Sequence, residues 1–172
     1  MGKTIHMDLS TESISNAIRE VQSYKNSFNT KVERFRERVA EKISELAQTS
    51  FNGAIVDDII KGGARMADVS VTVTSLGDVS VVVANGTDAV WVEFGAGVYH
   101  NRGYLGSSSH PKGLELHFSI GNYGTQGKKD TWGFKDATGL HITHGTPATM
   151  PMMNALNEVA RDISAIAREV FG

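Results

Sequence analysis

Six histidines are the side chains best able to move protons or hold a metal near neutral pH: His6, His100, His110, His117, His141 and His144. His141 and His144 stand three apart in His141-Ile142-Thr143-His144. On a helix that spacing would place two imidazoles on one face, where a metal could join them. Gly139 and Gly145 flank the pair and predict strand or loop instead, and no HExxH pattern occurs. Ser107, Ser108 and Ser109 precede His110, so hydroxyls and a possible base are neighbours in the chain. A working nucleophile also needs an oxyanion hole, often announced by G-x-S-x-G, whereas these serines lie in a polar loop. Gly121, Gly124 and Gly127 lead into Lys128-Lys129 and superficially suggest a phosphate cradle. The G-x-x-x-x-G-K-[ST] pattern is not met, since Asp130 follows the lysines, and no apolar strand plus helix frames the glycines.

Glu93 is the most unusual single residue, because it interrupts the apolar run Trp91-Val92-Glu93-Phe94. It reads either as a solvent-facing strand carboxylate or as a partly buried one that pairs with arginine or accepts backbone N–H groups. No second carboxylate stands at a spacing that would make an acid/base pair with it. Trp91, Trp132, Tyr99, Tyr104, Tyr123 and Phe134 could stack single-stranded bases, but they are not interleaved with basic residues, and core or interface aromatics are the simpler reading. Cysteine is absent, which removes disulfides, thiolate chemistry and Cys-ligated metal. The expectation is a protein that is not an enzyme and uses no metal or cofactor.

The remaining composition is that of an ordinary folded chain: 172 residues, 40% hydrophobic and 21% charged, with a net charge of -2. Acidic and basic residues stay balanced along the chain, so neither a basic arm for duplex nucleic acid nor an acidic tail is present. No apolar run approaches the ~20 residues of a membrane helix. The first ten residues carry no apolar signal core, so the expectation is synthesis without an export signal.

Elements follow from the hydrophobic period. Residues 10–28 predict a helix capped by Ser10 or Thr11, with Ile14, Ala17, Ile18, Val21, Tyr24 and Phe28 on one stripe. Asn26 to Thr30 should bend or break it. A second helix is expected over 30–51, striped by Val32, Phe35, Val39, Ile43 and Leu46. Ile55, Val56, Ile59 and Ile60 suggest a short helical turn that Gly62-Gly63 ends. Val69, Val71 and Val73, then Val79, Val81 and Val83, alternate with other residues and predict a hairpin with one buried face. Residues 89–94 predict a third strand, and Leu114, Leu116 and Phe118 a fourth. Residues 98–113 and 119–149 are long Gly-rich loops, the second with room for a short hairpin around Trp132 and Phe134. Thr149 as cap and Pro151 in the first turn open a terminal amphipathic helix striped by Met152, Leu156, Val159, Ile163, Ile166 and Val170. The expected fold is one α+β domain over 1–172. It comprises a helical region at 1–51 made of two helices, an antiparallel sheet of about four strands, and a C-terminal helix packed on the sheet.

Two segments together carry a family resemblance. One is Val92-Glu93-Phe94-Gly95-Ala96-Gly97. The other is Thr143 to Met152, with Gly145, Pro147, Ala148, Pro151 and Met152, running straight into the terminal helix. Gly121 to Gly127 and Trp132-Gly133-Phe134 lie between them. In this order the chain resembles the neck and tail-completion (head–tail joining) proteins of long-tailed bacteriophages. The resemblance implies a small α+β subunit without enzymatic activity or cofactor. It implies a homo-oligomeric ring, usually a hexamer, at the head–tail junction of a virion assembled in the host cytoplasm. Partners would be the tail tube or tail terminator protein and the head connector proteins. DNA would pass through the ring without sequence-specific recognition, and no membrane is involved. By position, Glu93, Phe94, Gly95, Gly97, Trp132, Gly145, Pro147, Ala148, Pro151 and Met152 are the motif and interface candidates. A tail terminator that caps tube growth is the alternative role.

Overall fold

The computed structural model describes residues 4–60, 62–97, 110, 112 and 131–172. Its longest element is α1, Thr11–Asn52. Ser10 starts it by accepting the Ser13 backbone N–H at 3.2 Å, and Glu12 suits the positive end of the helix dipole. The expected pair of N-terminal helices is thus a single helix. Poor helix formers at 26–30 cost only about 0.5 kcal/mol each. Packing overrides that cost. Tyr24 stacks on Phe28 at 6.4 Å, and Phe28 meets Phe171 at 5.9 Å.

Strands β1 (Ile55–Asp58) and β2 (Gly63–Met66) pair antiparallel, with Val56 and Asp58 buried. The short helical turn expected there is therefore a strand hairpin. Strands β3 (Ser70–Leu76) and β4 (Val79–Asn85) form the predicted hairpin, turning through Gly77-Asp78 with Leu76 opposite Val79. One face packs, as expected, but the register divides the valines between the two faces. Val71 and Val73 sit opposite Ala84 and Val82, and Val71 and Ala84 pack on the core beside α1. Val79, Val81 and Val83 share the other face with Leu76, Thr74 and Thr72. The Gln48 amide extends the β3 edge like a strand: its Oε1 accepts the Val71 N–H at 2.7 Å and its Nε2 donates to the Val69 carbonyl at 3.0 Å.

Residues 89–94 are a short helix, α2 (Ala89–Phe94), and not a third strand. A six-residue apolar run fits either period, and here the Val92 N–H reaches the Asp88 carbonyl at 2.9 Å. Ala89, Val92 and Glu93 then fall on one buried side. Beyond α2, β5 (Ala96–Gly97) pairs with β8 (Gly145–Thr146), and β6 (Trp132–Asp136) pairs with β7 (Gly139–Thr143). Part of the span expected as a 119–149 loop is thus hairpin and strand. In place of a sheet of about four strands, the described residues form separate two-stranded antiparallel ladders. The strand expected at 114–118 and most of the 98–113 loop lie outside the described residues.

The C-terminal helix is α3, Pro151–Phe171. It was expected on the sheet, but it runs along α1 and touches α2. Its end is fastened where Phe171 packs on Phe28 and Phe35 and Lys31 Nζ donates to the Phe171 carbonyl at 3.1 Å. Phe51, Ala54, Val56, Val69, Ala89 and Val92 form the core that joins α1, the first two hairpins and α2. The architecture is α+β. Among the described residues, no helix is long and apolar enough to cross a membrane.

Candidate functional site

The start of α3 has a capping problem that its own residues do not solve. Pro151 is the first helical residue, which makes Met150 the N-cap, and methionine has no oxygen to offer. Met150 also sits in the left-handed region at φ 51. Thr149, expected as the cap, instead donates its backbone N–H to the Val92 carbonyl at 2.9 Å. Pro151 has no N–H, so the unpaired donors of the first turn are those of Met152 and Met153. Glu93, 7% exposed, takes both: Oε2 accepts from Met152 at 2.8 Å and Oε1 from Met153 at 3.1 Å. The Asn154 N–H begins the intrahelical series by reaching the Met150 carbonyl at 2.9 Å. A carboxylate from α2 therefore completes α3, and its charge lies where the helix dipole favours it.

The two segments that carry the sequence resemblance are this one unit. The β5–β8 ladder sets Ala96 opposite Thr146 and Gly97 opposite Gly145. Gly95 turns the chain between α2 and β5 at φ 76, ψ 161, a region essentially reserved for glycine. A Cβ there would stand 3.1 Å from both Ala148 Cβ and Ala148 N. Ala148 and Pro151 are buried, Pro147 is exposed, and Met152 flanks the core. Phe94 is buried, and its ring lies tilted against that of His110 with the centres 4.4 Å apart. Among the motif candidates, Trp132 belongs to a different ladder, opposite Thr143 in β6–β7.

His110 was read beside Ser107 to Ser109, and the structure assigns it another task. Its Nε2–H donates to Glu93 Oε1 at 2.9 Å, and its Nδ1 accepts the Lys112 backbone N–H at 3.0 Å. Both ring nitrogens are engaged, so the ring buttresses Glu93 and has no nitrogen left to take a serine proton. Next to this pair an apolar groove of about 440 Å³ opens among Ile43, Val82, Val90, Phe94, Met153 and Leu156.

A second polar cluster surrounds a cavity of about 280 Å³ between β1, β2, α2 and the β6–β8 segment. His141 is buried, with Nδ1 at 2.7 Å from Asp58 Oδ2 and Nε2 at 2.9 Å from Thr138 Oγ1. Acid, imidazole and hydroxyl stand in the order of a nucleophilic relay, here tying the β6–β7 hairpin to β1. His144 is exposed and goes to Asp57, which also accepts the His144 N–H at 2.7 Å. The two histidines three apart thus diverge to different carboxylates. Across the cavity Arg65 holds Asp88 bidentately at 2.6 and 2.9 Å, and Asp88 also accepts the Asp68 N–H at 2.7 Å. The Asp88 hydrogen bond raises the Arg65 pKa, against the opposing effect of burial.

Sequence reasoning singled out Glu93 and left open that it accepts backbone N–H groups, but it did not find the acceptor's target or the His110 contact. It missed Asp57, Asp58, Arg65 and Asp88. Ser107 to Ser109 and the glycines at 121, 124 and 127 lie outside the described residues. Comparison with family models, with curated proteins and with solved structures returns no match to this chain.

Proposed function

We propose that the chain is a non-enzymatic virion structural protein that forms a ring, a hexamer, at the head–tail interface of a long-tailed bacteriophage, in the tail-completion or head–tail joining role. One observation carries the reading: the two segments on which the resemblance rests, 92–97 and 143–152, meet through the Glu93 cap, the β5–β8 ladder and the Gly95–Ala148 contact. Segments about fifty residues apart that share one capping and packing unit belong to one design. The balanced charge agrees with a ring that works by surface complementarity. Its partners are further copies of itself, the tail tube or tail terminator protein and the head connector proteins, with DNA passing through the lumen. The tail terminator role is the alternative.

Electron microscopy of a lysate from phage with this gene disabled tests the reading. Filled heads beside separate tails of normal length are expected. Tails of uncontrolled length would move the chain to the terminator role, and intact infectious virions would overturn the structural reading.

A further inference from the structure

Among the described residues, two of the exposed apolar surfaces are elongated. The first is on α1. Ile14, Ile18, Val21, Tyr24 and Phe28 keep one stripe and are 37–54% exposed. α3, which covers the later turns of α1, ends at Phe171 against Phe28 and Phe35, so the stripe before Phe28 runs on past its partner helix. The second surface is the outer face of the β3–β4 hairpin, with Leu76 63%, Val79 58% and Val83 38% exposed among Thr72 and Thr74. Neither strand carries a charged side chain. An uncharged, apolar, exposed hairpin is a surface that natural proteins normally cover or protect.

The two surfaces fit each other in length and charge. From Ile14 to Phe28 the helix rises about 21 Å, and a seven-residue strand spans about 20 Å from first to last Cα. The five α1 side chains expose roughly 450 Å² of apolar surface, taking ~150–250 Å² for a large side chain. That is the size of apolar patch, about 300–600 Å², that marks an interaction site on a monomer. The charged neighbours of the stripe, among them Arg19, Glu20 and Lys25, would stay at the rim, because the hairpin face offers no charge to desolvate.

Resting on the ring reading above, we infer that residues 11–28 of α1 from one copy lie across the outer face of the β3–β4 hairpin of the next copy. Each hairpin is then sandwiched between its own α1, already packed on its inner face, and the arm of a neighbour. Pairing arm with arm would cover one surface and leave the hairpin bare. Arm on hairpin covers both with a single contact type, and such a heterologous contact generates a ring when its rotation closes.

The absence of cysteine makes the test clean. Full-length Ile18→Cys and Thr74→Cys proteins are prepared separately and treated with a short bismaleimide, alone and after mixing. Light scattering at tens of micromolar gives the oligomeric state. An oligomer whose cross-linked dimer forms in the mixture, and in neither protein alone, is the expected result. Cross-linking of Ile18→Cys alone would mean arm–arm pairing and overturn the inference. So would an oligomer with no cross-link in the mixture, or a monomer with both thiols open to labelling. As a second readout, Val21→Asp and Val79→Asp should each abolish the oligomer while keeping the wild-type far-ultraviolet circular dichroism. The phage lysate experiment is independent of these. Separated heads and tails with no arm–hairpin cross-link would retire this interface and keep the ring, whereas intact virions would retire the head–tail role itself.

Discussion

Replacing Glu93 tests whether one carboxylate completes α3. In Glu93→Ala, the Met152 and Met153 N–H groups lose their acceptor, and His110 loses the partner of its Nε2–H. Loss of a helix cap costs about 1 kcal/mol, and loss of a partly buried charge at a helix terminus up to about 2 kcal/mol. Stranding a buried donor adds about 1 kcal/mol or more, so the total is roughly 3–4 kcal/mol. Glu93→Gln should cost about 2 kcal/mol. Its oxygen can keep the Oε1 contacts, but the amide NH₂ then faces the Met152 N–H, donor against donor. For a chain of this length each kcal/mol moves Tm by about 2–4 °C, which predicts losses near 10 °C for Ala and 6 °C for Gln. Thermal and urea unfolding by circular dichroism, at one fixed protein concentration, measures both. Hydrogen exchange should accelerate at Met152 and Met153 in Glu93→Ala and at Met152 in Glu93→Gln. A Gln variant within 1 °C of wild type, with the Met152 amide still protected, would refute the capping argument.

Further outcomes follow from the same contacts. Gly95→Ala should cost about 3 kcal/mol in urea unfolding, since it combines a strained φ with a Cβ 3.1 Å from Ala148, whereas Gly62→Ala, at φ 104 with no atom within 4 Å, should cost only about 1 kcal/mol. Arg65→Met should lower stability by about 1–2 kcal/mol by unpairing buried Asp88, a value below that of a fully buried pair because Arg65 is partly exposed. Because Asp88 raises the Arg65 pKa, the arginine's contribution is complete at every pH below the ordinary arginine range and is lost only above it. The Arg65→Met deficit should therefore be equal at pH 6 and pH 9. Thr138→Ala should leave hydrolysis of chromogenic esters at the level of wild type, which should itself match buffer alone. Turnover above buffer that Thr138→Ala removes would make the Asp58–His141–Thr138 relay catalytic.

Elements with a long stripe were legible in the chain. The stripe from Val32 to Leu46 and that from Met152 to Val170 both extend over enough turns to choose one period, and α1 and α3 follow them. Residues 89–94 are too short to make that choice. The break expected at 26–30 was a local argument, and the Phe171 ring from the far end of the chain outweighs it. The hairpin faces were misassigned, although a signal existed. A turn with an even number of residues sets odd positions of one strand opposite even positions of the next, so Val73 and Val79 cannot share a face. The cap also left a trace. Pro151 marks the first helical residue and leaves methionine at the N-cap, so an acceptor had to come from elsewhere. The only carboxylate in the adjacent apolar motif is Glu93. The Asp57, Asp58 and Arg65 contacts left none, because each joins elements whose mutual placement the sequence alone does not determine.

Glu93 joins two parts of the chain that are otherwise tied by a short ladder. His110 lies in the segment between β5 and β6, and its ring both packs on Phe94 and donates to the carboxylate that starts α3. A change at residue 110 should therefore reach α3 through Glu93. In His110→Ala the two α3 amides keep their acceptor, so the loss should be smaller than for Glu93→Ala, about 1–2 kcal/mol from lost packing and one charge-assisted hydrogen bond. In Glu93→Ala the histidine has already lost its partner, so adding His110→Ala should cost less than it does in wild type. The double-mutant cycle should give a coupling of about 1 kcal/mol. Additive losses would mean that His110 and Glu93 stabilise the fold independently. His110 and the start of α3 would then be neighbours without being coupled.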